Sequence, residues 1–166
     1  MGSNYLTKIK RFNDVIEAVE LNFLYSIGLC LIIFMTLGVI SRYMLHFSLF
    51  GTEAIPVLIL VWASMIGASV GINRESHFKL LIFIDLMPNS IKSIIRVFVN
   101  SLIVLFLIII LFKSVELTAA VYIQKSFGLG ISVAYFYIAI PIGVVLMLIH
   151  LIFSILNDVL SFQRGG

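Results

Sequence analysis

Few residues in this sequence have the types and spacings that catalysis or cofactor binding requires. A single cysteine, Cys30, rules out an intrachain disulfide and a quinone-linked thiol oxidase, since both need paired cysteines. A bis-histidine haem site needs two histidines on facing helices, and of the three histidines only His150 lies in a long apolar segment. We therefore expect His150 to be packed or hydrogen-bonded in the interior rather than to bind a metal. We also expect no enzymatic activity and no cofactor.

Carboxylates embedded in a membrane would indicate proton-coupled transport, because a proton and a substrate can compete for such a group. Asp14, Glu17 and Glu20 precede the first long apolar segment at spacings of three, which is typical of a helix beginning. Glu116 lies closest to the interior of an apolar segment, and Lys113 three residues earlier predicts an ion pair. The other three apolar segments contain no Asp or Glu between their predicted ends. We therefore expect no embedded carboxylate in them and no ion pathway.

The composition excludes most classes of soluble protein. The chain has 166 residues, of which 61% are hydrophobic and 11% are charged, and its mean hydropathy is +1.18. A soluble domain carries about 25% charged residues, and so apolar a surface would aggregate in water. A soluble enzyme, a nucleic-acid-binding module and a disordered linker are therefore set aside, and lipid is the expected solvent.

The apolar segments are long enough to cross a bilayer. About 20 apolar residues span the roughly 30 Å of hydrocarbon, and only helices satisfy their own backbone hydrogen bonds there. The sequence therefore predicts an all-α integral membrane protein, a single domain over residues 1–166, with the first helix beginning before the membrane. The four predicted transmembrane helices cover residues of about 21–41, 54–73, 95–120 and 131–156.

The distribution of Lys and Arg predicts the orientation. Placing both termini in the cytoplasm puts eight cations inside and three outside, as the positive-inside rule favours. The loop between the second and third helices is then cytoplasmic too. Its residues 77–87 are too short to span and are followed by Pro88, so they predict a short helix lying in the membrane interface.

Small residues recur at helix-packing intervals. Ala63, Gly67 and Gly71 are spaced by four in the second helix, and a G-x-x-x-G pattern allows close approach of two backbones. Ala139 and Gly143 have the same spacing in the fourth. Two interpretations remain open: these residues join helices within this bundle, or they contact another subunit.

Four predicted spanning helices without residues for an ion pathway favour an accessory subunit of a larger complex. The alternative is a self-sufficient, homo-oligomeric small carrier or channel. An embedded carboxylate would favour that alternative, and the sequence offers no clear candidate.

Between residues 42 and 88 several features follow one another at set spacings. They are Arg42-Tyr43, Glu53, Trp62 nine residues later, Gly67-Ala68, and a segment from His77 to Pro88. With these features the chain resembles the small membrane subunit of tripartite ATP-independent periplasmic (TRAP) transporters, the DctQ-like family, and most of all its sialic-acid (SiaQ-like) branch. The chain departs from the family pattern in having Thr52 instead of a first acid and Leu80-Leu81 instead of an acid after the histidine.

The resemblance implies a scaffold in a bacterial inner-membrane transporter. Such a subunit binds a large multi-helix membrane subunit, which holds the substrate and sodium sites, so sodium coupling is expected on that partner. A periplasmic substrate-binding protein delivers an organic acid, such as sialic acid (N-acetylneuraminate) or a C4-dicarboxylate.

The resemblance also suggests roles for particular residues. Arg42 and Glu53 are expected to pair across the periplasmic turn between the first two helices, which would position that turn. The alternative is that Arg42 meets an acid on the binding protein. Trp62 is expected to pack into the large subunit, and the alternative is that it fills this bundle's own core. A cytoplasmic basic rim is expected to attract anionic phospholipid headgroups. Its members are His77, Lys79, Lys92 and Arg96.

Overall fold

A computed structural model describes residues 2–44, 54–75, 89–126 and 129–162. The predicted interfacial segment 77–87 lies outside the described residues. Within them the chain forms helices and one isolated antiparallel bridge between Lys125 and Ser132. The helices in chain order are α1 (Gly2–Tyr43), α2 (Ala54–Glu75), α3 (Asn89–Ala120), α4 (Ala134–Tyr137) and α5 (Ala139–Phe162).

Four helical segments are long and apolar enough to cross a membrane, so the predicted all-α fold with four spanning helices is confirmed. The predicted cytoplasmic location of both termini stays a prediction. The four segments are Arg11–Tyr43, Ala54–Arg74, Phe98–Ala120 and Ala134–Leu156.

Helix α1 is much longer than the membrane requires. Its 42 residues extend over about 63 Å at 1.5 Å per residue. Along its second half one narrow stripe is half-buried and leads to the buried Ser41, while most of the remaining surface is exposed. The stripe recurs at alternating spacings of three and four, which keeps it on a single face of the helix. Its members are Leu24, Ile27, Leu31, Phe34 and Gly38.

The helices lie side by side in the order α1, α2, α5, α3, so that α1 and α3 form the two edges. The main apolar core is between α3 and α5. Its buried members are Leu107, Val144, Met147 and Leu151.

A compact hairpin joins α3 to the fourth spanning segment. The Ser132 hydroxyl donates to the Tyr122 carbonyl at 2.6 Å, and Gly130 has a φ of 67°, which favours glycine. This hairpin delays the helix until Ala134, three residues after the start predicted at 131. Pro141 has no N–H to continue the helical backbone hydrogen bonds of α4. Helix α4 is therefore a single turn, and α5 begins at Ala139.

Close backbone approach joins α2 to α5. A Cβ added at Gly143 would lie 2.8 Å from the Met65 Cβ and 3.2 Å from the Met65 carbonyl oxygen. Any side chain at position 143 therefore forces the two helices apart. Glycine is required here by space and not by backbone conformation.

Replacing Gly143 by alanine should therefore destabilise the bundle, by about 1–3 kcal/mol, the usual cost of overpacking. Thermal unfolding in detergent micelles would measure this. Gly67→Ala is the matched control, because a Cβ at position 67 meets no atom within 4 Å. Equal melting temperatures for the two variants would contradict the role assigned to Gly143.

Candidate functional site

Polar side chains from three helices meet at the end of the bundle where α1 begins, which is here called the proximal end. Together they form the polar cluster. Helix α1 supplies three of them, α2 three and α5 one. The members are Asn13, Glu17, Glu20, Ser69, Asn73, Arg74 and His150.

Helical periodicity explains why these side chains converge. Asn13, Glu17 and Glu20 are spaced by four and three, so they share one face of α1. Ser69 and Asn73 are spaced by four and share one face of α2. The two faces meet because α1 and α2 pack against each other, and α5 closes the third side.

The outer part of the polar cluster links α1 to α2. The Asn13 amide donates from Nδ2 to the Asn73 Oδ1 at 2.8 Å, and Asn73 donates from Nδ2 to the Glu17 Oε2 at 2.6 Å. Arg74 donates from Nε to the other carboxylate oxygen of Glu17 at 2.8 Å. Since Arg74 is largely exposed, this ion pair lies at the surface of the bundle.

The inner part of the polar cluster brings in α5. Ser69 donates from Oγ to the Glu20 Oε1 at 2.9 Å, and the His150 Nε2 lies 3.1 Å from the Glu20 Oε2. The other ring nitrogen, Nδ1, lies 2.6 Å from the Asn13 Oδ1. His150 is 1% exposed and Glu20 4%. The expectation that His150 is a hydrogen-bonded interior residue is therefore confirmed.

The hydrogen-bond pattern determines where the protons lie. The Glu17 carboxylate, paired with Arg74, accepts from the Asn73 amide, which leaves the Asn73 oxygen to accept from Asn13. Asn13 then presents its oxygen to His150, so the ring must carry a proton on Nδ1. The other ring nitrogen, Nε2, faces the Glu20 carboxyl, so both nitrogens of His150 have polar partners.

No Asp or Glu lies between the predicted ends of the first span, 21–41, but Glu20 directly precedes it. In the structure Glu20 is buried inside the bundle and belongs to the apolar segment Arg11–Tyr43. The polar stripe Asn13, Glu17 and Glu20 on one face of α1 was the signal that could have revealed it.

Trp62 makes its polar contact within this chain. Its indole Nε1 donates to the Tyr135 carbonyl at 3.1 Å, which ties α2 to the single turn α4. The rest of the ring is half-buried. Its expected packing into a large subunit stays a prediction for the remaining ring surface.

The two pairs of small residues have different surroundings. Ala139 is buried, and Gly143 lies against Met65, so this pair joins helices within the bundle. A Cβ at Gly67 or Gly71 would meet no atom within 4 Å. These two glycines therefore border open space in the described part of the chain, next to half-buried Ala63.

The remaining predicted residues are only partly described. Arg42 is exposed in the last turn of α1, but Glu53 lies outside the described residues, so their pairing stays a prediction. The same holds for the basic rim. His77 and Lys79 lie outside the described residues, as do the side chains of Lys92 and Arg96.

The arrangement is suited to holding helices together. Among the described residues no group of three or more His, Cys, Asp or Glu could hold a metal ion. The buried side-chain nitrogen and oxygen atoms of this part of the chain all have hydrogen-bond partners. The polar cluster therefore satisfies itself, as polar groups in an apolar surrounding must.

Glu20→Ala should destabilise the bundle by about 1–3 kcal/mol, because it leaves His150 and Ser69 buried without their partner. Glu20→Gln should cost less, since its amide can donate to the His150 Nε2 and accept from Ser69. Unfolding of the purified chain in mixed detergent micelles measures both. Glu116→Ala serves as a control on the exposed surface, and an equal loss there would contradict the role of Glu20.

Comparison with known proteins agrees with this architecture. Residues 31–161 match the DctQ component of tripartite ATP-independent periplasmic transporters. The chain is also 27% identical over 131 residues to the "Sialic acid TRAP transporter permease protein SiaT" of Haemophilus influenzae (strain 86-028NP), an alignment covering 76% of this chain and 20% of the relative. The chain thus spans about one fifth of that relative's length. With its four spanning helices, the chain belongs to the DctQ family, an inner-membrane component of tripartite ATP-independent periplasmic transporters.

Proposed function

We propose that this chain is the small, non-catalytic membrane subunit of a sodium-coupled TRAP transporter and that it scaffolds the large transport subunit. The observation that carries this proposal is the self-satisfied polar cluster. Its polar groups are bonded to one another instead of lining an open path. Family membership supports the same role, since DctQ proteins are components of tripartite transporters.

The proposed substrate is an organic acid delivered by a periplasmic substrate-binding protein. The relative named for sialic acid favours sialic acid, with a C4-dicarboxylate as the other choice. Sodium and substrate sites are proposed to lie on the large subunit, as the resemblance to the small TRAP subunit implies.

The proposed orientation places both termini, and with them the polar cluster, on the cytoplasmic side. The excess of Lys and Arg in the segments that would then face the cytoplasm supports this orientation. It also brings the predicted basic rim to the leaflet that is rich in anionic phospholipids.

One observation favours the second candidate, a self-sufficient small carrier. Glu20 is a buried carboxylate beside a buried histidine, the kind of pair that carries protons in some transporters. Its two oxygens, however, are bonded to Ser69 and His150. A carrier would have to break these contacts in each cycle, so the scaffold is the better-supported role.

Reconstitution separates the two candidates. We expect sodium-driven uptake of sialic acid only when this chain, the large subunit and the binding protein are present together. Glu20→Gln should keep most of that uptake, because a scaffold needs the hydrogen bonds of position 20 and not its proton. Uptake by this chain alone, lost in Glu20→Gln, would establish the carrier instead.

A further inference from the structure

The two edge helices present different surfaces. On α1, residues 21–41 contain no charged residue, and their exposed side chains are mainly apolar, among them Leu29, Ile32 and Leu37. Such a surface is compatible with lipid chains. On α3, exposed apolar side chains recur at spacings of four and three and form the α3 outer face. Its members are Phe98, Leu102, Leu105, Ile109 and Phe112.

The α3 outer face carries an ion pair, whereas residues 21–41 of α1 contain no charged residue. Glu116 follows Phe112 by four residues and continues the same stripe. Lys113 donates from Nζ to the Glu116 Oε2 at 2.8 Å, and the two side chains are 75% and 71% exposed. Both residues belong to the spanning segment Phe98–Ala120. At a rise of 1.5 Å per residue, Lys113 lies about 10 Å from the end of that segment.

Lipid chains are a poor environment for this pair. An ammonium group has three donors and a carboxylate accepts at both oxygens, whereas the contact between Lys113 and Glu116 uses one donor and one oxygen. The remaining donors and acceptors need polar partners. Charged side chains within spanning segments accordingly face protein or a water-filled cavity.

We propose that the α3 outer face, with Lys113 and Glu116, docks a transmembrane helix of the large subunit. This inference rests on the proposed function and deepens it by naming the interface. Since the pair has no net charge, the partner helix is expected to place a neutral hydrogen-bonding side chain opposite it, within an otherwise apolar stripe. The outer surface of α1 then faces lipid.

The length of the relative supports the large subunit as the occupant. The matched region makes up 20% of the sialic-acid permease protein, so most of that protein is further polypeptide attached to this kind of domain. A partner of that size is available to cover a helix face. A second copy of this chain is the competing occupant. If a two-fold axis related the two copies, the Lys113 of each copy could face the Glu116 of the other.

Site-specific photo-crosslinking in the assembled transporter, in native membranes, tests the interface. The crosslinker replaces Phe112 on α3 or, as a matched control, Ile32 on α1, both of which are apolar and largely exposed. We expect an adduct with the large subunit from position 112 and none from position 32. An adduct between two copies, no adduct from position 112, or a large-subunit adduct from position 32 alone would overturn the proposal.

Charge variants test the ion pair itself. Lys113→Met should lower co-purification of the large subunit several-fold without changing the melting temperature of the isolated chain, because the pair is exposed there. The double exchange Lys113→Glu with Glu116→Lys restores the pair and should recover most of the yield. Wild-type yield with Lys113→Met would place the pair outside the interface and overturn its role.

Co-purification and crosslinking separate a failure of the scaffold role from a failure of the α3 interface. If the wild-type chain does not co-purify with the large subunit, the proposed function fails and this interface fails with it. If the subunits co-purify but position 112 gives no adduct with the large subunit, the scaffold role stands and only the assignment to α3 is lost.

Discussion

Hydrogen-bond satisfaction without water is the constraint on which this structure depends. A bilayer core offers polar groups no partner, so the backbone must be helical and each buried side chain must bond within the protein. The contact between Glu20 and His150 shows how this is met. Each polar atom of the two side chains that faces the interior has a partner, because Ser69 and Asn13 supply the other two bonds. These contacts reduce the cost of burying the polar groups.

Different contacts hold the two ends of the bundle. At the proximal end the polar cluster connects three helices through directional bonds, so it determines their register as well as their proximity. Farther along, α2 meets α5 by close packing at Gly143, and Trp62 bonds to the backbone of α4. Such packing supplies most of the contact in membrane proteins, since lipid removes the hydrophobic drive for helices to associate. Together these contacts join α1, α2, α4 and α5 to one another, in keeping with the proposed scaffold role.

The edges of the bundle indicate how the unit serves a transporter. Helix α1 packs along one narrow stripe and exposes a mainly apolar surface, whereas α3 exposes a surface that includes the ion pair of Lys113 and Glu116. Two such dissimilar sides suit the proposed arrangement, in which α3 docks against the large subunit and α1 faces lipid. The chain belongs to the DctQ family, a component of tripartite transporters.

Hydropathy along the chain determined the number of spanning helices, their approximate limits and the membrane class, because lipid imposes length and polarity on each segment independently. The resemblance carried by Arg42, Trp62 and their neighbours indicated the family. The tertiary structure alone decided that Glu20 is buried and that Gly143 packs inside the bundle while Gly67 borders open space. These properties depend on which helix faces meet. Helix pairing is a contact between residues distant in sequence, and a local pattern of polarity or small residues does not identify the partner.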